Sequence, residues 1–252
     1  MQDERKVFDR IPEQFDRMRW RYTPEMFAAL IDYAQVDEKS RVLEIGPGTG
    51  QATEPLLKTG CRYLAIELGE HLADFCAKKF ANYPNFTVVN ADFETYDFGD
   101  EKFDLVFSAA TIQWIPEEMA FGRSFELLKS GGVLAMASSP SEWRSTNPAL
   151  ADALDRVYDR HFVTETPYTH HGFRYENAAN YGFADYHVLE FKSVREFDAD
   201  GYVEYIGTHA DHIGLVEPHR SAFFGGIRDA IEQHGGKLVM NLTDYLRLTR
   251  KP

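Results

Sequence analysis

The stretch Val42-Leu43-Glu44-Ile45-Gly46-Pro47-Gly48-Thr49-Gly50 constrains this chain more than any other feature. A short apolar run that ends in alternate glycines reads as a buried strand, Arg41 to Ile45, breaking into a tight turn. A helical pattern follows from about Gln51 to Gly60. Glycine at positions 46, 48 and 50 removes side chains from the turn, so that backbone can approach a ligand closely. The next helix aims its N-terminus at the same place. In a doubly wound sheet, ligands bind beyond the carboxyl ends of the strands. The three glycines are therefore expected beneath a nucleoside-like ligand.

The same alternation continues downstream. Arg62–Glu67, Phe86–Asn90, Phe103–Ser108 and Val133–Ala137 read as strands, and helical patterns cover about Glu70–Phe80 and Pro116–Leu128. Lys129-Ser130-Gly131-Gly132 is read as a glycine stop for the second of these helices. Regular strand–helix alternation predicts an α/β fold, Rossmann-like and doubly wound, with a mostly parallel sheet and helices on both faces. After Ser138 the rhythm changes. Pro148–His161 is helical, and Thr164–Gly172 is a polar, aromatic loop. His187–Phe197 is a strand that includes Val188, Phe191 and Val194. Asp198 caps a helix through Ile206, and Pro218 opens another, with Phe224, Ile227 and Ile231 on one face and Gly235-Gly236 past its end. Lys237–Thr249 is a last strand, so two late strands complete a seven-stranded sheet. Upstream, Phe8, Ile11, Phe15 and Met18 keep helical spacing, and Pro24 opens a second helix. No internal repeat or Gly/Ser-rich linker divides the chain.

Composition narrows the partners. A formal net charge of -13 argues against nucleic acid, which is bound through dense Lys and Arg. The local exception, Arg17, Arg19 and Arg21, reads as a solvated face, with a carboxylate site as the other reading. No apolar run approaches the roughly 20 residues that span a bilayer. The charged start of the chain leads into no signal-peptide core, so no membrane role and a cytoplasmic location are expected. Cys61 and Cys76 have no metal-like or redox spacing. Nothing in the sequence speaks to oligomeric state.

Around the turn, further residues point to one ligand. Glu67, at the end of the second strand, suits both hydroxyls of a ribose. Asp92, after the third strand, suits an exocyclic amine of adenine, with Phe93 packing on the ring. The spacing is Gly-x-Gly-x-Gly rather than the Gly-x-Gly-x-x-Gly dinucleotide fingerprint, and Pro47 removes a backbone donor that a pyrophosphate would use. A nicotinamide- or flavin-dependent oxidoreductase is thereby disfavoured. It stays open as an alternative, together with a non-catalytic cofactor-binding module.

These segments resemble the class I S-adenosylmethionine-dependent methyltransferases, from about Val42 to Ala137, with Phe103-Asp104-Leu105-Val106 and Leu128 to Leu134 included. Within that superfamily the chain is similar to the trans-aconitate and type-11 small-molecule enzymes. Phe8-Asp9-Arg10 through Arg21-Tyr22-Thr23-Pro24 is similar to their N-terminal lid. The resemblance implies S-adenosyl-L-methionine as cofactor, with Glu44, Gly46, Gly48 and Gly50 around its methionine part. It implies Glu67 at the ribose, with Leu68 beside it among the cofactor contacts, and Asp92 and Phe93 at the adenine. Ser108 and Ala109 through Gln113 would line the inner edge, where small residues leave room for the methyl group. Arg19 or Tyr22 would reach the carboxylate from the lid. The whole chain is then expected as a single domain, 1–252. Residues 1–35 would be the lid, 36–139 the cofactor core, 140–185 and 198–235 acceptor-side cap elements, and 186–197 and 237–250 the late strands.

The implied reaction is transfer of a methyl group to an oxygen or nitrogen of a small-molecule acceptor by in-line displacement. Such a reaction mainly needs alignment of donor and acceptor, and a general base only where the acceptor starts protonated. His170-His171, His209 and His212 are candidates, and His209, after the helix that ends at Ile206, is the one chosen. A zinc site built from these histidines lacks cysteines and matched spacing, so no metal is expected. Trp114, Trp143, Tyr158, Phe162, Tyr168, Phe173, Tyr175 and Tyr205 are the aromatic residues from which an apolar acceptor pocket would be drawn.

Overall fold

The computed structural model describes residues 4–164 and 172–252. They fall into two compact units. One comprises residues 20–139, 172–191 and 244–252, and the other residues 4–19, 140–164 and 192–243. The boundary in the N-terminal segment lies at Arg19/Trp20, inside the stretch expected as a lid.

The first unit holds the parallel sheet. Its strands are β1 (Arg41–Ile45), β2 (Arg62–Glu67), β3 (Phe86–Asn90), β4 (Phe103–Ala109) and β5 (Leu128–Ser138), in the order β3-β2-β1-β4-β5. In this unit Tyr245–Arg250 of β8 (Lys237–Arg250) pairs antiparallel with β5. The order reverses between β1 and β4, so the crevice beyond the tips of these two strands is where such a sheet binds ligands. Alternation along each strand builds both layers of core. Val42, Leu105 and Val133 pack on one face with Met26, Phe27 and Leu30 of α2 (Pro24–Ala34). Leu43, Val106 and Leu134 pack on the other with Phe121 of α5 (Glu117–Leu127).

All seven expected strands are present, including β7 (Ala184–Asp198), which pairs with β8. An eighth, β6 (Ser141–Glu142), is only two residues long and pairs with β8 at Leu242 and Asn241. Of the apolar residues placed in β7, Val188 and Val194 are exposed, whereas Phe191 is partly buried against the core. The glycine stop after α5 is corrected. The helix ends at Leu127, and Leu128 already pairs with Phe103, so Gly131-Gly132 lies inside β5. The β4–β5 register shifts between Phe103 and Leu105, and a side chain at 132 would stand 2.9 Å from the Lys129 carbonyl oxygen. These glycines form the kink of an irregular strand rather than a cap. The helix expected from Gln51 to Gly60 shrinks to α3 (Thr53–Leu57). α4 (Glu70–Lys79) and the N-terminus of α1 (Pro12–Met18) follow the sequence pattern, except that residues 4–10 form a separate 3-10 turn.

In the second unit, α6 (Pro148–His161), α7 (Ala199–Ile206) and α9 (His219–Gln233) pack together, with the short α8 (Ala210–Ile213) between the last two in sequence. Their ends follow side-chain chemistry. Asn147 accepts the Leu150 amide ahead of Pro148, and Asp198 accepts the Gly201 amide at 2.7 Å. A Cβ on Gly226 would meet Val157 at 3.0 Å, so glycine sets how closely α9 approaches α6. Of the expected 164–172 loop, residues 165–171 lie outside the described residues. Thr164 bridges to Leu215.

Candidate cofactor and acceptor sites

The turn after β1 is built as its glycines require. Gly46, Gly48 and Gly50 have φ of 66°, 58° and 82°, a region that disfavours side chains. At Gly46 a Cβ would stand 2.3 Å from Thr111 Cγ2, so the loop after β4 closes directly on the turn. Two hydroxyls tie these loops together: Ser108 Oγ donates to the Ile45 carbonyl at 3.0 Å, and Thr111 Oγ1 to the Gly46 carbonyl at 3.0 Å.

Two carboxylates stand on one face of the sheet, on neighbouring strands. Glu67 is 6% exposed; its Oε2 accepts the Gly48 amide and its Oε1 the Gly69 amide, both at 2.9 Å. Glu44 is 1% exposed, and its Oε2 accepts from Thr53 Oγ1 at 2.6 Å and Tyr63 Oη at 2.9 Å. Burial pushes its pKa up to about 7, against the lowering effect of the Thr53 and Tyr63 hydrogen bonds and with a further rise from the charge of Glu67. Glu44 Oε1 is buried with no hydrogen-bond partner among the described residues. Buried oxygens are rarely left so. A ligand that brings positive charge and N–H donors, as the sulfonium and ammonium of S-adenosylmethionine would, fits this acid pair better than a pyrophosphate does.

Other expected site residues are placed differently. Asp92 caps the turn that follows it, accepting the Glu94 amide at 3.0 Å. Phe93 is turned into the core against Phe98 and Arg123, which corrects the expectation that its ring packs on a base and leaves its backbone for a ligand. Ser108 is fully buried and its hydroxyl is used within the fold, so it does not line the cofactor's edge through its side chain. Ala109 and Leu68 are partly exposed, and Gln113 Oε1 accepts from Tyr175 Oη at 3.4 Å. Asn90, Thr53 and Tyr63 support the site without having been expected there, whereas Thr111 lies in the expected inner-edge segment and ties it to the glycine turn. Asn90 Nδ2 donates to the carbonyls of Glu67 and Leu68, fixing the end of β2. Tyr22 packs its ring edge-on to Phe27, 6.5 Å between centroids.

Arg19 serves a different purpose from the one expected of it. In the second unit its Nε donates to Thr208 Oγ1 at 2.9 Å and one Nη to the Thr208 carbonyl at 2.8 Å, while its guanidinium lies against Phe15 and Tyr205. Arg17 pairs with Glu204 at 3.1 Å. These arginines fasten the N-terminal segment to the end of α7.

The second unit also contains a cavity of about 340 Å³, lined in part by Trp143, Arg144, Tyr158, Tyr202, Tyr205 and His209. Such a volume lies in the range of small-molecule sites. Three of the aromatic residues named from sequence are in its wall: Trp143, Tyr158 and Tyr205. Phe162 packs against His212 and Phe223, whereas Phe173 and Tyr175 stack in the first unit, to which Trp114 also belongs. Tyr168, His170 and His171 lie outside the described residues. Burial and the charge of Arg19 hold His209 well below the ordinary histidine pKa, so it is an uncharged imidazole, suited to accept a hydrogen bond but a weak proton acceptor. Among the described residues, His209, Asp211 and His212 bring side-chain donor atoms within 4.8 Å of one another. Both ring nitrogens of His212 are engaged, with Asp211 Oδ1 at 2.6 Å and Tyr158 Oη at 2.9 Å, which makes a hydrogen-bonded chain of the three side chains. Among the described residues no helix is long and apolar enough to cross a membrane.

Comparison with known proteins agrees with this geometry. The family model described as "Methyltransferase domain", of type 11, matches residues 43–136. Malonyl-[acyl-carrier protein] O-methyltransferase 1 of Ilyobacter polytropus is 26% identical over 215 residues, 81% of this chain and 77% of that protein. Ribosomal RNA small subunit methyltransferase A of a Synechococcus species is 40% identical over 78 residues, but the match spans only 29% of this chain and 28% of the relative. The structure of a Haemonchus contortus phosphoethanolamine N-methyltransferase with S-adenosylhomocysteine has the same fold, with TM-score 0.57 at 16% identity. It covers 100% of this chain and 61% of that one. The segment matched by the family model is the one that carries the glycine turn, both carboxylates and the tip of β4. Over residues 43–136 the chain matches a methyltransferase domain, in keeping with its resemblance to the class I S-adenosylmethionine-dependent methyltransferases.

Proposed function

We propose that this enzyme transfers the methyl group of S-adenosylmethionine to an oxygen or nitrogen of a small-molecule acceptor, by in-line displacement, and that the acceptor occupies the aromatic cavity of the second unit. The cavity carries this reading: about 340 Å³ walled by Trp143, Tyr158, Tyr202 and Tyr205 is the size and character of a site for a free metabolite. The net charge of -13 supports it, since it opposes the ribosomal RNA on which one group of relatives acts by name. The malonyl-[acyl-carrier protein] enzyme is, by its name, an O-methyltransferase, which favours oxygen among acceptors.

The cofactor supplies an activated methyl group on a positively charged sulfur. This chain's residues would bind and orient it. Gly46, Gly48 and Gly50 give close backbone approach, Glu67 takes the ribose hydroxyls, Glu44 faces the amino-acid end, and Asp92 accepts from the adenine amine. Ala109, Gln113 and Leu68 complete the edge. Arg19 and Tyr22 enter as supports of the N-terminal segment. His209 orients the acceptor as an uncharged hydrogen-bond acceptor. Alignment of this kind supplies roughly 7–11 kcal/mol in favourable models.

The test is transfer of labelled methyl from S-adenosylmethionine into a metabolite extract by the natural enzyme and by Trp143→Ala. Calorimetry with S-adenosylhomocysteine is run on both. Transfer should fall in the variant while affinity for S-adenosylhomocysteine holds. Equal transfer by both proteins would place the acceptor elsewhere.

A further inference from the structure

From Tyr158 in the cavity wall a hydrogen-bonded chain runs back to His212 and Asp211. Asp211 Oδ1 lies 2.6 Å from His212 Nδ1, and His212 Nε2 lies 2.9 Å from Tyr158 Oη. His212 is 3% exposed and held between the rings of Phe162 and Phe223, with centroids 4.9 and 5.4 Å away. Asp211 also accepts the His212 amide at 3.0 Å, so the acid and the ring are fixed in one orientation. Burial pushes Asp211 up, but its hydrogen bond with the His212 ring brings it below the usual carboxylate range. An ionised carboxylate only accepts, so the proton of His212 sits on Nδ1 and Nε2 receives the hydrogen bond of Tyr158. Tyr158 is therefore left with oxygen lone pairs for a donor on its other side, and Tyr158 lines the cavity.

Resting on the proposed acceptor cavity, we propose that Tyr158, His212 and Asp211 form a proton relay, and that the acceptor is a phenol whose hydroxyl donates to Tyr158.

The charges around the cavity select this class. Arg144 is held by Asp155 through two bonds, at 2.7 and 2.6 Å, so neither ion is available to a ligand of opposite charge. A free ammonium would also meet ring faces already used by cations. The Arg144 guanidinium lies 5.1 Å from the Trp143 centroid, and that of Arg19 lies 5.6 Å from Tyr205. A neutral aromatic ring carrying one acidic hydroxyl suits the four aromatic walls of the cavity. The other groups facing the relay are His209, uncharged, and Arg220, whose Nη1 reaches the His212 carbonyl at 3.4 Å.

The step balances. The acceptor oxygen forms its bond to the methyl carbon as the carbon–sulfur bond breaks, and that electron pair stays on sulfur. The phenolic proton passes to Tyr158 Oη while the Tyr158 proton passes to His212 Nε2, leaving an imidazolium paired with Asp211. Charge lost from the sulfonium is thus gained by His212. Tyr158 touches the acceptor and is the catalytic residue here; His212 and Asp211 act through it and are positioning residues.

The probe is 4-nitrophenol, whose phenolate absorbs in the visible, mixed with the full-length protein at a pH about one unit below the probe's own pKa. Binding is expected to increase the phenolate fraction, with the bound probe's apparent pKa lowered by about one unit, a tenfold change in its ionisation ratio. His212→Gln should bind the probe within about twofold of the natural protein by calorimetry and Tyr158→Phe more weakly, and at saturating probe both should show none of the added phenolate. Asp211→Asn should show an intermediate gain, and unchanged circular dichroism identifies variants that fold. Absence of binding by the natural protein overturns the phenol class. Binding without added phenolate, or added phenolate that survives in Tyr158→Phe, overturns the relay. Labelled-methyl transfer into the metabolite extract separates this from the functional reading. Transfer to amines with no phenolate gain sinks the relay alone, whereas phenolate gain without transfer to any small molecule sinks the proposed function alone.

Discussion

The carboxylate of Glu67 accepts the amide of Gly48 at 2.9 Å, so the acid at the end of β2 is bonded to the glycine turn at the end of β1. Its second oxygen holds Gly69 ahead of α4. One side chain thus shapes two loops at the crevice and presents negative charge there. Replacing Glu67 by Ala is expected to weaken binding of S-adenosylhomocysteine about 10- to 100-fold, the scale of hydrogen bonds to a charged group. Calorimetric titration of natural and variant protein reads this directly, and Glu67→Gln should fall between them.

A second prediction concerns packing of the turn. Gly46→Ala sets a methyl 2.3 Å from Thr111 Cγ2 at a φ of 66°. Clash and strained backbone together should cost about 2–3 kcal/mol of stability, read as a lower denaturant midpoint. Adding Thr111→Ser removes the clashing methyl and should recover part of the loss, since the Ser hydroxyl retains a donor for the Gly46 carbonyl. No recovery would mean that φ and the remaining close approaches at Oγ1 and Cβ, 2.7 and 2.8 Å, set the cost.

Glu44 gives a pH dependence with a definite sign. Its pKa is about 7 in the folded protein against an ordinary glutamate value of 4.5, so the folded state holds the proton over that interval and the unfolded chain does not. Stability from this group is complete below about 4.5 and is lost as pH rises through about 7. The loss amounts to about 3 kcal/mol. Glu44→Gln, which cannot ionise, should not share it. Urea unfolding of both proteins across that range checks the prediction: their stability difference should move in favour of the variant as pH rises.

Much of this fold is readable from the chain because its signals are local. Short apolar runs in 41–45, 62–67 and 103–108 mark buried strands, while Asn147-Pro148, Asp198 and Gly235-Gly236 mark helix ends. The kink at Gly131-Gly132 was misread because a glycine pair after a helix looks the same whether it caps the helix or bends the following strand. The site divides in the same way. Gly46, Gly48, Gly50 and Glu67 stand at strand ends, where topology assigns them a place. Thr53, Tyr63 and Asn90 are ordinary polar residues until folding brings them to a carboxylate or a carbonyl. Tyr158 and His212 carry no shared spacing at all, and only the packing of α6 beside α8 and α9 joins them.

Arg19 offers a test of the N-terminal segment. Arg19→Met keeps the apolar stem but removes the charge and both bonds to Thr208. The His209 pKa, measured by NMR, should rise toward the ordinary range, because Arg19 is one cause of its depression after burial. Limited proteolysis within residues 4–19 should also become faster. An unmoved His209 would assign its whole shift to burial.

The central claim is methyl transfer to a small molecule, and one measurement bears on it most directly. The enzyme is incubated with methyl-labelled S-adenosylmethionine and a metabolite extract to which RNA and protein have been returned. The label is then followed into the small-molecule, RNA and protein fractions, with mass spectrometry of the labelled product. The account predicts label in a small aromatic hydroxyl compound, reduced in Trp143→Ala and in Glu67→Ala. Label confined to RNA or protein would contradict it.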